Sequence, residues 1–257
     1  MDTTVKIADS YINLLSSFSD EIKLRVIAGG PANPVAIVDE TADLAKAAKD
    51  ISDGASFDNN IMCISEKCIV AVESIVPAFV KQLEENGVYY IDNETEMLQL
   101  TKTVLNHDMK MVRKMEGKSA MDILEEAGIH PNRPVRLVVV RTFAKHPLVL
   151  EECLMPVVPL VAVADFEEAL ETALFTEQGY RHTAMVHSQC IDRLSKAAKI
   201  MNTTVFIKNG SSLAGIGLNG EEMASFTIAN VTGEGITTAR DFACKRSCTL
   251  TSGFSLR

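Results

Sequence analysis

Nowhere in the 257 residues is there an apolar run long enough to cross a membrane. The best candidate, Leu154 to Ala164, is too short and contains Pro156 and Pro159. Basic residues are in deficit: 25 Lys and Arg against 34 Asp and Glu leave a net charge of −9. That balance argues against nucleic acid or an anionic membrane as a general partner. The opening residues, Met1-Asp2-Thr3-Thr4, lack the pattern of a secretory signal. The six cysteines are too sparse for a disulfide scaffold, so reduced thiols in a cytosol-like compartment are expected. Cys244 and Cys248 are four apart but have no second pair and no neighbouring histidine, so no metal site is expected. There is no internal repeat and no low-complexity linker. What is present is ordinary for a globular chain, 47% hydrophobic and 23% charged, and long enough for a large core.

Strand and helix patterns alternate along the chain. An imperfect amphipathic helix is predicted over residues 3–20, and short strands over Leu24 to Ala28 and Val35 to Val38. Asp39-Glu40-Thr41 is expected to open a helix with Leu44, Ala47, Ala48 and Ile51 inward and Gly54 as its end. A strand from Cys68 to Glu73 follows, then a helix around Pro77 that stops at Asn86-Gly87. Two helices are predicted over 93–106 and 118–127, and strands over Val135 to Val140 and Val157 to Val163. Asp165 is expected to cap a helix. Thr183 to Val186 reads as a strand, Ile191 to Ile200 as a helix and Thr203 to Ile207 as a strand. The fold class expected is α/β, a mostly parallel sheet with helices on both faces. The glycine-rich stretch after Lys208 does not follow the G-x-G-x-x-G spacing of a phosphate-binding turn. Ser247 to Leu256 alternates well enough to form a C-terminal strand arm.

The organising stretch runs from Ser56 to Val72. Its small polar first part leads into the β-branched run Cys68 to Val72, so Cys63 falls on a loop at the mouth of a strand. A thiol there can serve as a nucleophile if a base or cation lowers its pKa. The alternative is a small buried residue, since free cysteine is among the most buried residue types. Cys68, Cys153 and Cys190 are read as core. Asn59 and Asn60 either shape the loop or supply a side-chain donor.

Several segments together resemble the aldehyde dehydrogenase superfamily, in its CoA-acylating branch of the ethanolamine and propanediol utilization type. They are Gly29-Gly30-Pro31-Ala32-Asn33-Pro34 with Val38-Asp39-Glu40-Thr41-Ala42-Asp43, Phe57 to Lys67, Glu151 to Val157, Gly179 to Ala184, Lys208-Asn209-Gly210, Thr232-Gly233-Glu234-Gly235 and Ala239-Arg240-Asp241-Phe242. The ordered set covers most of residues 24–257.

The resemblance implies that Cys63 is the catalytic thiol, adding to a small aldehyde to form a thiohemiacetal. Hydride would pass to NAD, and the acyl group would pass from Cys63 to coenzyme A. The backbone N–H of Cys63 would face the alkoxide. His182 is expected near the thiol, as acceptor of the CoA proton or as partner in ionising Cys63; a structural histidine is the other reading. His187 lies five residues on and should point to the opposite face. Glu152 matches the family's glutamate that accepts from the nicotinamide ribose, or else Glu151 and Glu152 form a solvated charged turn. Hydrolytic members carry a glutamate just before the Gly-Gly pair; here that place is expected to fall on Ile27, which cannot activate water and so favours thiolysis.

The resemblance also implies a dinucleotide-binding domain before the Gly-Gly strand, and only about 28 residues precede Gly29. Residues 1–28 are therefore expected to be a remnant or bridge, 29–222 the thiol-bearing catalytic domain, and 223–257 a return segment and oligomerisation arm. NAD would then be bound mainly by the missing domain. A homo-oligomer formed through the arm is expected, in the cytoplasm or a bacterial microcompartment. Two other functions stay open: a non-catalytic assembly module, and an acyl-phosphate reductase with the same thiol and histidine logic.

Overall fold

A computed structural model describes residues 26–249 and residue 251. The predicted helix over 3–20 and most of the predicted strand Ser247 to Leu256 lie outside these residues. Seven strands form one fully parallel sheet: β1 (Val35–Val38), β2 (Cys68–Val72), β3 (Val88–Ile91), β4 (Leu137–Thr142), β5 (Val157–Val163), β6 (Thr183–His187) and β7 (Val205–Lys208). Their order across the sheet is β3-β4-β5-β2-β1-β6-β7. Every residue of β1, β2 and β6 is buried. Strands covered on both faces need apolar side chains pointing both ways, hence the runs Val35-Ala36-Ile37-Val38 and Cys68-Ile69-Val70-Ala71-Val72 rather than alternation.

The helices are α1 (Leu44–Ser56), α2 (Val76–Glu85), α3 (Glu94–Val104), α4 (Ala120–Glu126), α5 (Pro147–Leu150), α6 (Phe166–Glu177) and α7 (Ile191–Met201). On one face Ala47, Ala48, Ile51 and Phe79 of α1 and α2 pack on Ala36, Val38, Ile69 and Ala71. On the other, Phe166, Ala169, Leu170 and Ala197 of α6 and α7 pack on Val35, Ile37, Val70 and Ala184. Helices α3 and α4 close a third cluster beneath Ile91, Val138 and Val140. Asp43, Asn93, Ser119 and Asp165 each accept from a backbone N–H in the first turn of the helix they precede.

Some expectations require correction. Residues 26–28 form no strand; Ala28 and Gly30 donate instead to Thr232 Oγ1 and Asn230 Oδ1 of the later return segment. Helix α1 starts at Leu44 behind its Asp43 cap, because Asp39 is already committed elsewhere. It accepts from Thr41 Oγ1, Ser188 Oγ and Arg193 Nη1, and these bonds outweigh burial and hold its carboxyl below the usual carboxylate range. Gly54 does not end α1, which runs to Ser56. Cys190 is half-buried at the start of α7 rather than core. The short strand β3 and the single turn α5 are elements that the sequence reading did not contain.

Gly54 is required for close approach. A Cβ there would fall on Glu66 Oε2 and lie 2.6 Å from Glu66 Oε1 and 2.5 Å from Ser212 Oγ. In an open helix, Gly to Ala stabilises by about 1 kcal/mol through propensity. Here the sign is reversed: Gly54→Ala is expected to cost about 1–3 kcal/mol by overpacking. A urea titration checks this, and a raised midpoint would show that the Glu66 carboxylate moves aside freely.

Candidate active site

All seven strands of the sheet are parallel, so every connection that enters one of them does so at the same edge. The Cys63 turn precedes β2, the segment carrying Glu152 precedes β5, and His182 precedes β6. Because β5, β2, β1 and β6 are consecutive across the sheet, the three predicted residues come to neighbouring places on its N-terminal edge. The opposite edge, at the ends of β1 and β6, is closed by the chain itself. There Asp39, Thr41, Ser188 and Arg193 bond one another, and Arg193 lies 5.2 Å over the Phe166 ring.

Residues Phe57–Asn60 form a single 3-10 turn at the end of α1. Asp58, Asn59 and Asn60 have φ of 46°, 52° and 62°, a left-handed conformation in which Asn and Asp are more readily accommodated than other side-chain-bearing residues. Asn59 Nδ2 donates to Gly117 O at 2.9 Å, and Asn60 Nδ2 to Ala55 O at 2.8 Å and Glu66 O at 3.0 Å. Both amides are thus engaged in shaping the loop. Cys63 follows, half-buried. Burial raises its thiol pKa most, and Glu152 raises it further. Lys67 and the backbone N–H groups of Cys63 and Ile64 pull it down without cancelling the rise.

Glu151 and Glu152 have different surroundings. Glu151 is the surface anchor, accepting from Lys110 Nζ at 2.8 Å and from Met111 N at 3.2 Å. Glu152 is half-buried and acts electrostatically on both Cys63 and Lys67.

His182 is 1% exposed. Its Nδ1 lies 2.8 Å from Thr183 Oγ1, and its backbone N–H donates to Glu177 Oε1 at 3.1 Å. Glu177 also accepts from Gly179 N, so one buried carboxylate folds the loop that delivers the ring. Burial pushes the His182 pKa down to about 4, which makes the ring neutral near pH 7. Thr183 is level with Pro34 and Lys67 in the sheet, so the strand entries bearing His182 and the thiol turn are separated by β1, about 10 Å at the backbone. His187 shares the face of Met185 and has no hydrogen-bond partner at Nε2. Ile27 is half-buried in the coil beside the return segment.

The residue missed in the sequence is Lys67. It is 2% exposed, and its Nζ donates to Asn60 O at 2.6 Å and to Asn60 Oδ1. The signal was available: a charged pair, Glu66-Lys67, written directly into the start of a buried strand. Glu66 is fully buried too, accepting from Ser212 N at 2.9 Å and Ser212 Oγ at 2.8 Å. Cys244 and Cys248 are exposed, and among the described residues no group of three or more His, Cys, Asp or Glu is placed to hold a metal ion.

A parallel sheet that gathers a cysteine, a glutamate and a histidine on its entry edge agrees with the comparisons. The profile of the aldehyde dehydrogenase family matches residues 13–218, and the chain belongs to that family. Among its relatives, the CoA-propanoylating propanal dehydrogenase of Salmonella typhimurium is 47% identical over 91% of this chain and 50% of its own length. A Rhodopseudomonas palustris propionaldehyde dehydrogenase solved with bound propionyl-CoA superposes with a TM-score of 0.87 at 39% identity, over 94% of this chain and 52% of that one. A propionaldehyde dehydrogenase from a Clostridium phytofermentans fucose utilisation microcompartment gives a TM-score of 0.87 at 36% identity, over 97% of this chain and 56% of that one. That protein has also been solved as a His-to-Ala and as a Cys-to-Ala mutant. This chain spans about half the length of the curated relatives and solved chains it matches. Among the described residues no helix is long and apolar enough to cross a membrane.

The lowered pKa of His182 has a stability consequence. The unfolded ring titrates near 6.5 and the folded one near 4, so between these values the unfolded chain binds more protons. The His182 contribution is therefore complete above pH 6.5 and lost as pH falls toward 4. The urea midpoint of wild type is expected to fall more steeply over that window than that of His182→Asn. Parallel slopes would show that the ring is free to protonate in the fold.

Proposed function

We propose that this chain is the thiol-bearing catalytic half of a CoA-acylating aldehyde dehydrogenase, converting a short-chain aldehyde, coenzyme A and NAD into acyl-CoA and NADH. The observation that carries the reading is the placement of Cys63, Glu152 and His182 on one edge of the sheet, at the entries of three of the four consecutive strands β5, β2, β1 and β6. The relatives named for CoA-propanoylating chemistry or solved with propionyl-CoA support the choice of acyl acceptor. They also favour it over an assembly module or an acyl-phosphate reductase. In the Clostridium protein the mutated Cys and His are separated by nearly the same length of chain as Cys63 and His182.

In this reading Cys63 Sγ loses its proton and bonds to the aldehyde carbon, and the carbonyl oxygen takes up negative charge. The backbone N–H groups of Cys63 and Ile64 already face the sulfur, from where they can donate to that oxygen. NAD, when bound, accepts the hydride that leaves the carbon, and a thioester on Cys63 remains. Glu152 has the right chemistry for one end of that cofactor, since a carboxylate accepts from both hydroxyls of a ribose. In this reading the dinucleotide-binding turn itself would lie in a separate cofactor domain. The CoA thiol then attacks the thioester, its proton passes to the neutral His182 ring, and Cys63 leaves as thiolate. Ile27 puts an apolar side chain where a water-activating carboxylate would stand, so CoA rather than water is the acceptor.

Residues 29–222 would be the catalytic unit and 223–257 the return segment and oligomerisation arm, with residues 1–28 a remnant or bridge preceding the catalytic unit. A homo-oligomer through the arm, in the cytoplasm or a bacterial microcompartment, is the expected setting, and the Clostridium relative comes from such a compartment. The test joins this chain to the cofactor-binding half of the Salmonella relative and follows propanal, CoA and NAD. Acyl-CoA is expected, with Cys63→Ala inactive and His182→Ala slowed about 10²-fold in the CoA step while a burst of NADH persists. Thioester trapped on another cysteine would overturn the reading.

A further inference from the structure

The thiol turn is a closed loop, and one ammonium closes it. Asn60 precedes Cys63 by three residues and Lys67 follows it by four. Lys67 Nζ donates to both the carbonyl and the side-chain oxygen of Asn60, while Asn60 Nδ2 returns a bond of 3.0 Å to Glu66 O. Within the loop Ser65 N donates to Met62 O at 3.2 Å, and at its end Lys67 N donates to Pro34 O at 2.9 Å. A lysine 2% exposed cannot meet its hydrogen-bonding needs from bulk water. Its three donors must find protein oxygens, and Asn60 supplies two of them.

We propose that Lys67 is a positioning residue for Cys63: its ammonium clamps the left-handed Asn60 turn shut and stands as the buried positive charge that favours the thiolate. The inference rests on the reading of Cys63 as the reacting thiol. It assigns to Lys67 the task first expected of a histidine, because the His182 ring is neutral and tied to Thr183.

The charges around the pair are few. Glu152 faces both groups from the segment before β5, Cys153 faces Lys67 from the same segment, and Glu66 adjoins Lys67 in the chain. The Cys63 thiol is raised by burial and Glu152 and lowered by Lys67. Cys153 is fully buried and pushed up to about 12, so it does not compete for the ammonium as an anion at neutral pH. Lys67 is itself pushed down to about 8, chiefly by burial, with Glu152 the leading opposing influence. Glu152 therefore acts on both Cys63 and Lys67, and a change at any of the three alters the electrostatics of the others.

The test reads the rate of Cys63 alkylation by iodoacetamide from pH 6 to 10.5, resolved from the other cysteines by peptide mass spectrometry. Lys67→Met is expected to slow Cys63 alkylation about tenfold at pH 7.5 and move the midpoint up. Lys67→Arg keeps a permanent cation and is expected to leave the midpoint at or below the wild-type value. Glu152→Gln is expected to move it down. A Lys67→Met protein with a native melting curve and a wild-type profile would overturn the assignment. So would a Lys67→Arg midpoint raised above wild type, which decides the question if Lys67→Met does not fold. A parallel incubation with propionyl-CoA separates this failure from that of the underlying reading. Acyl transfer to Cys63 with unshifted profiles rejects only the role of Lys67, whereas acyl transfer to a different cysteine rejects Cys63 as the nucleophile.

Discussion

The carbonyl of Pro34 accepts from both Lys67 N and Cys68 N, at 2.9 and 3.2 Å, and this forked bond sets where β2 joins β1. Everything at the candidate site is measured from it. It brings Cys68 level with Val35, hence with Ala184 of β6, and so determines how far the thiol turn projects beyond the edge of the sheet. A shift of one residue would turn every side chain of β2 to the other face. Proline suits the position: its φ is preset, and its missing N–H asks for no partner at the strand entry. Asn33, just before it, donates to Val149 O and Thr176 O, which ties the ends of α5 and α6 to the same place.

Two charges are then buried side by side at the start of β2, and each is satisfied differently. Glu66 turns toward Ser212 and the notch left by Gly54, and burial pushes its carboxyl up to about 7. Lys67 turns toward Asn60. Burying an ion costs several kcal/mol even after relaxation, so such groups persist only where hydrogen bonds meet their needs. Here those bonds run to two separate pieces of chain, the Asn60 turn and the Ser212 turn, and Asn60 is itself held to the end of α1 through Ala55 O. The polar cluster therefore does what apolar packing cannot, holding a half-exposed loop in one conformation beside open surface. The neighbouring core is apolar and would tolerate exchanges of similar volume; this cluster would not.

Much of the fold was legible because its signals are local. Val157 to Val163 is bounded in the structure as in the sequence reading, and Asp165 caps α6 as the residue type suggests. Strand β3 was not legible, since Val88-Tyr89-Tyr90-Ile91 is short and follows a turn at Gly87 with little to separate it from a loop. The start of α1 was misplaced because two aspartates compete for the role of cap, and only tertiary contacts show that Asp39 is taken by Ser188 and Arg193. Cys63, Glu152 and His182 could be nominated one by one from motifs. Their meeting could not, because it follows from the strand order. Lys67 stayed hidden since a lysine next to a glutamate ordinarily means solvent.

The electrostatics of the thiol are a balance of opposed influences. Two influences raise the Cys63 pKa, burial and Glu152, and only Lys67 and two backbone N–H groups oppose them, so the resting thiol in this chain is protonated near neutral pH. Burial is common to any sheltered nucleophile and Lys67 is fixed by Asn60. The adjustable influence is Glu152, half-buried and borne on an irregular segment rather than on a strand. Any change in the bonding of Glu152 changes how much of its negative charge reaches the sulfur. Glu152 and Lys67 thus act on one sulfur with opposite sign, and its protonation follows the balance between them.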